Sequence, residues 1–144
     1  MRSMLVAALA GLTAASPAAA ETWNAYSRST NNVFMADVDS IAVNGAATSI
    51  RIAMVPLRGE AGDYSHTIET YEFECGRNRW RATGTIEMGP DGTEAERFPE
   101  EGAEWTPVRA NTMPEYLKQI ACDGARANPP TWPTVRAFVD AGRP

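Results

Sequence analysis

The chain is cut by turn signals into runs that suit an antiparallel meander. Asn44-Gly45, Gly76-Arg77-Asn78 and Pro90-Asp91-Gly92 separate segments in which apolar and polar residues alternate. Asn-Gly is a strong hairpin signal, proline presets φ, and glycine tolerates positive φ. A parallel crossover needs a dozen or more connecting residues, and none of these intervals supplies them. The alternation predicts an opening strand at 22–27 with Trp23 and Ala25 on one face, a short second strand at 33–36, and a longer one at 48–57. In that third strand Ile50, Ile52 and Met54 share one face and Arg51, Ala53 and Val55 the other, so it should be covered on both sides.

A strand at 65–75 follows, with Ile68 out of phase with Tyr71, Phe73 and Cys75. A slip of register near Glu69 or Thr70, made by a bulge, would reconcile them. Residues 79–88 return with Trp80, Ala82, Gly84, Ile86 and Met88 on one face, and "TEAERF" is the last or next-to-last strand. The period then changes to that of a helix. Thr112 and Glu115 have capping-box spacing, Pro114 lies in the first turn, Met113, Leu117, Ile120 and Ala121 form a stripe, and Gly124 is the stop. After the proline-rich "NPPTWP", a second short helix at about 134–141 offers Val135, Phe138 and Val139. The expected fold is therefore α+β, an antiparallel meander of five to six strands with a C-terminal helix packed on it.

The chain opens "MRSMLVAALAGLTAASPAAA", with one Arg, a short apolar run, the breakers Ser16 and Pro17, and small residues before a cut. That is the form of a secretory signal peptide over 1–20, with cleavage between Ala20 and Glu21. The apolar run is well short of the roughly 20 residues that span a bilayer, so no membrane span is expected. No cysteine sits near the cut, so N-terminal lipidation is not expected either. Removing 20 of 144 residues leaves 124, and loss of Arg2 takes the net charge from −5 to −6. That length suits one domain at 21–124, followed by a linker and short helix at 125–144. An acidic chain with no basic run disfavours nucleic acid and anionic membranes as partners.

Export sets the redox compartment, and disulfides persist outside the cytoplasm. Cys75 and Cys122 are the two cysteines, separated by 47 residues, so one bridge is available, and it would pin the helix to the sheet. Two cysteines and the single histidine, His66, do not make a structural zinc site, and Cys75 lies between Glu74 and Gly76, without the electropositive setting of a catalytic thiol. No metal and no cofactor is expected.

His66 has Asp63 and Glu69 near it in sequence, but with no second histidine and no nucleophile motif it reads as an exposed strand-end residue. Asp37 and Asp39 resemble half of a calcium site, yet the rest of the oxygen-ligand loop is missing, so they read as turn formers. The stretch holding Glu94, Glu96, Glu100, Glu101 and Glu104 reads as solvated, with contact to a basic partner as the functional alternative. Arg77, Arg79 and Arg81 run against the overall charge. Cross-strand pairing of Arg79 and Arg81 with Glu72 or Glu74 is the structural reading, and contact with a partner the functional one. Trp105 and Trp132 stand in loop-like contexts that would suit exposed recognition residues, but tryptophan beside proline more often caps a small core.

An early "W", "DVDSI" and then "NG", a strand ending "YEFECGRNRWR", a "GPDG" turn, Trp105 followed by Pro107-Val108, and a helix ending "IAC" together resemble the surface-adhesin protein E family of Gram-negative bacteria. The resemblance covers about 22–122. It implies an antiparallel sheet with a C-terminal helix held by a disulfide, no enzymatic activity, and, in the member that names the family, a dimer binding host matrix and serum proteins. The functional reading is an exported binding module in the periplasm or at the cell surface, with an unidentified protein partner and scope for homodimerisation through a sheet edge or face. The alternative is a periplasmic protein of structural or enzyme-inhibitor type, presenting the acidic stretch around 94–104. A hydrolase is disfavoured because nothing in the sequence suggests a convergent nucleophile and base.

Overall fold

The computed structural model describes residues 20–144; the expected signal peptide lies, apart from Ala20, outside the described residues. These residues form β1 (Trp23–Arg28), β2 (Asn32–Asn44), β3 (Ala47–Pro56), β4 (His66–Glu74), a 3-10 turn (Cys75–Arg77), β5 (Arg79–Met88), β6 (Glu94–Pro99), β7 (Thr106–Pro107), α1 (Met113–Asp123), β8 (Thr131–Trp132) and α2 (Val135–Asp140). All strands join one antiparallel sheet in the order β6-β5-β4-β3-β2-β1-β8, with β7 on β5. The α+β meander stands, but among the described residues it has eight strands rather than five to six. The additional pieces, β7 and β8, are two residues long, too short to carry a period in the sequence.

The hairpin at Asn44 closes through Gly45 and Ala46, with Asn44 paired to Ala47. Gly45 has φ +63°, which glycine adopts without steric cost. The second strand is far longer than 33–36. After Asp37, paired with Arg51, the next pair is Ala42 with Ser49, so residues 38–41 of β2 bulge opposite Ile50. Ser40 stitches this bulge, donating to the Asp37 carbonyl (2.7 Å) and accepting from Arg51 N–H (2.9 Å).

The sheet is buried on both faces, at opposite ends. On one face α1 seats Leu117 and Ile120 over Ala36, Ile50, Ile52 and Phe73. On the other, α2 seats Val135, Phe138 and Val139 over Trp23, Val33, Met35, Ala53, Val55 and Ile68. Residues 125–144 thus supply both a short strand at the sheet edge and the cover of one of the two cores. Double coverage also explains Ile68. It faces α2 while Tyr71 and Phe73 face α1, and β4 pairs with β3 without any slip. The bulge expected near Thr70 exists, but its extra residue is Thr83 on β5, because Thr70 pairs with Gly84 and Tyr71 with Ala82. Trp80 therefore packs on the α1 side and Ile86 and Met88 on the α2 side, rather than all on one face.

Cys75 and Cys122 form a disulfide, with Cα atoms 5.9 Å apart, that ties the 3-10 turn after β4 to the last turn of α1. Gly124 caps α1 at φ +73°, as the stop signal implied. The expected capping box does not form: the Thr112 side chain accepts no helix N–H, because its hydroxyl donates to Arg109 O instead, and the Glu115 carboxylate accepts from Asn111 N–H at 2.6 Å rather than from Thr112.

Candidate interaction face

The turn after β4 sets the register of the arginines. The 3-10 turn and Asn78, at φ +51°, reverse the chain so that Glu74 lies opposite Arg79 and Glu72 opposite Arg81. Arg79 Nε donates to Glu74 Oε2 at 2.6 Å, Arg81 reaches Glu72 Oε2 at 2.7 Å, and Arg77 stands 3.6 Å from Glu74. The cross-strand pairing expected for Arg79 and Arg81 is therefore present. The bond from Arg79 holds the Glu74 carboxyl below its usual range and, reciprocally, raises the guanidinium.

Trp105 completes the cluster. Asn78 grips the segment after β7, with Val108 N–H donating to Asn78 O (2.9 Å) and Asn78 Nδ2 to Val108 O (3.3 Å). This holds the half-buried indole against the guanidiniums of Arg81 and Arg79, 4.4 and 5.2 Å from the ring centroid. Trp105 is thus no cap on an apolar core; Trp132 is, meeting Phe138 edge-on at 5.6 Å. Arg77 remains 70% exposed in its side chain, while Arg79 and Arg81 keep about a third exposed, at 33% and 31%. The result is a ridge of aromatic and guanidinium surface with only one arginine more than its carboxylates. Tryptophan and arginine dominate the energetic centres of protein interfaces.

The same face continues to a polar group missed in the sequence. Asp37, fully buried, receives Arg51 Nη2 at 2.5 Å, and Arg51 also reaches Glu21 at 3.2 Å. Asp37 Oδ1 accepts from the N–H groups of Thr22 (3.3 Å) and Asp39 (3.2 Å). The expected local backbone bonding is thus real, but the main role is a buried ion pair. The only available signal was Arg51 among apolar neighbours, and its partner could not be named without the β2–β3 register.

His66 is buried, 8% exposed, not an exposed strand end. It lines a cleft of about 250 Å³ between β1, β4 and α2, with Glu21, Tyr64 and Arg136 on its walls. Its sequence-near carboxylates are not gathered there: Asp63 accepts from Ser65, and Glu69 lies on the opposite face, bonded to Tyr71. Burial pushes the imidazole below its ordinary value of 6.5, against the raising effects of the Tyr64 carbonyl, Glu21 and Glu87. The unfolded chain then binds the proton more readily, so stability is complete above about 6.5 and falls as pH drops below it. Melting temperatures between pH 7.5 and 5.5 should decline, and His66→Gln should flatten that decline; an unchanged slope would assign it to other groups.

In the acidic stretch, Glu94 is held by Arg97 at 2.6 Å. Glu96 lies on the exposed edge strand β6, with Glu100, Glu101 and Glu104 beyond it, and none of these four is ion-paired among the described residues. Among the described residues no helix is long and apolar enough to cross a membrane. No curated protein and no solved structure matches the chain significantly. The model of the surface-adhesin protein E family matches residues 23–123, from β1 to the end of α1. The chain belongs to the surface-adhesin protein E family.

Proposed function

We propose that this protein is an exported, non-enzymatic binding module, released by cleavage between Ala20 and Glu21, that meets a protein partner through Arg77, Arg79, Arg81 and Trp105. The observation that carries the reading is Trp105 laid over two ion-paired guanidiniums on an open part of the sheet. Pairing with Glu72 and Glu74 pre-orders the arginines, so less side-chain entropy is lost on contact. The Cys75–Cys122 bridge suits an oxidising compartment, periplasm or cell surface, and family membership favours adhesion over catalysis.

The test is capture by mature, oxidised protein from human matrix and serum proteins, set beside the bacterium's own envelope extract. Trp105→Ala combined with Arg77→Glu should weaken capture of a matrix or serum protein at least tenfold, the loss typical of an interface hot spot, while leaving the melting temperature within a few degrees. Undiminished capture would overturn the assignment of the face.

Glu96, Glu100, Glu101 and Glu104, without ion pairs among the described residues, favour a second reading, inhibition of a basic envelope enzyme, which charge reversal at those four positions would abolish. Among the described residues β6 pairs only with β5, and its outer edge would suit a second copy of the chain adding a strand.

A further inference from the structure

A cleft of about 210 Å³ opens on the α1 face, away from the arginine ridge, where the first turn of α1 overhangs β1 to β4. Tyr26, Phe34 and Tyr71 line it, with Met113 and Leu117 from the helix, and Glu69 is the one charged residue on its walls. Tyr26 is the extra residue of a bulge in β1, since Ala25 pairs with Met35 and Ser27 with Phe34; bulges commonly re-aim a side chain next to a site. The Tyr71 hydroxyl donates to Glu69 Oε2 at 2.7 Å, leaving the carboxylate's other oxygen free of protein hydrogen bonds among the described residues. Among the described residues Glu69 forms no ion pair with a Lys, Arg or His.

We infer that this cleft binds a small alkylammonium ion, its positive head set among the three aromatic side chains and facing the Glu69 carboxylate. Aromatic rings attract ammonium groups through their quadrupoles, most strongly where water is excluded, and a single carboxylate in an apolar wall adds charge complementarity. Burial first and Glu69 second push both Tyr26 and Tyr71 well above their ordinary range, so they remain neutral donors. The volume lies below the roughly 300–1,000 Å³ of pockets for drug-sized ligands, which limits the occupant to a headgroup-sized ion. This site is independent of the face proposed for protein partners, since it lies on the other side of the sheet.

The test is an amide-resolved NMR titration of the oxidised protein with tetramethylammonium chloride, using potassium chloride as the ionic-strength control and tert-butanol as the neutral mimic. Shifts confined to the cleft, with a Kd on the order of 10 mM, are expected. Tert-butanol should bind at least tenfold more weakly. Glu69→Gln, which still accepts the Tyr71 hydrogen bond, should weaken tetramethylammonium at least fivefold with melting unchanged, and Phe34→Leu should do so without touching that bond. Absence of cleft shifts at 100 mM, equal binding of the neutral mimic, or unaltered affinity in both variants would overturn the inference.

Discussion

Replacing Cys75 and Cys122 together by alanine is expected to cost about 4 kcal/mol of stability, and to lower Tm by on the order of 15 °C, because the bridge closes a loop of 47 residues. In the chain-entropy account the loss falls on the unfolded state, which regains the conformations that the cross-link forbids. The folded state would be weakened unevenly. α1 has 11 residues, too few to persist alone in water, and of its side chains only Leu117 and Ile120 are buried. Without the bridge its docking rests on that small contact, so its amides should exchange with solvent sooner than those of β2 and β3. The overhanging cleft loses one wall at the same time, since Met113 and Leu117 belong to the helix. Calorimetry of the double variant, or of the native chain with a phosphine reductant, reads the effect directly. A Tm change under about 3 °C would show that unfolded-state constraint is not what holds this helix.

Arg51→Met is expected to destabilise the fold by about 3 kcal/mol. Asp37 has no exposed side-chain surface, whereas Arg51 keeps 35% of its own, so the two halves of the pair are not equivalent. Removing Arg51 strands a buried carboxylate on two backbone N–H groups, those of Thr22 and Asp39. It also releases Glu21 and removes the guanidinium lying 6.0 Å from the centroid of the Trp23 ring. Removing Asp37 leaves a guanidinium that can still reach water and Glu21, so Asp37→Leu should cost less than Arg51→Met. The double variant should be better than the sum of the two singles by at least about 1 kcal/mol, because breaking a buried pair is costlier than replacing it with apolar groups. Denaturant unfolding of the four proteins checks this. Strict additivity would mean that the pair is not coupled.

The ion pairs of Arg79 and Arg81 were legible in the sequence, and the Asp37–Arg51 pair was not. The arginine pairing at Glu72 and Glu74 could be anticipated because a tight turn at 76–78 leaves little freedom in register, and opposite positions then follow by counting. The Asp37–Arg51 pair could not, because residues 38–41 bulge out of β2 and break that count. Thr83 had the same effect on β5. One inserted residue beside Gly84 turns Ile86 and Met88 to the opposite face from Trp80, and nothing in a run of alternating residues marks where such an insertion falls. His66 looked like a strand-end histidine because its cover comes from α2, nearly 70 residues further along the chain.

What could be read from the chain alone is local: the turns, the alternation between them, the helix stripe with its stop at Gly124, and, since only two cysteines are present, which thiols could join. These follow from backbone preferences and side-chain periods that a residue and its near neighbours settle alone. Tertiary structure decided which face each residue meets, and so the burial of Asp37 and His66, the stacking of Trp105 on Arg79 and Arg81, and the gathering of Tyr26, Glu69 and Tyr71 in one cleft. Each of those joins residues from separate segments of the chain. Their proximity depends on strand register, bulges and helix docking, which are set by the packing of the whole sheet and not by any single segment.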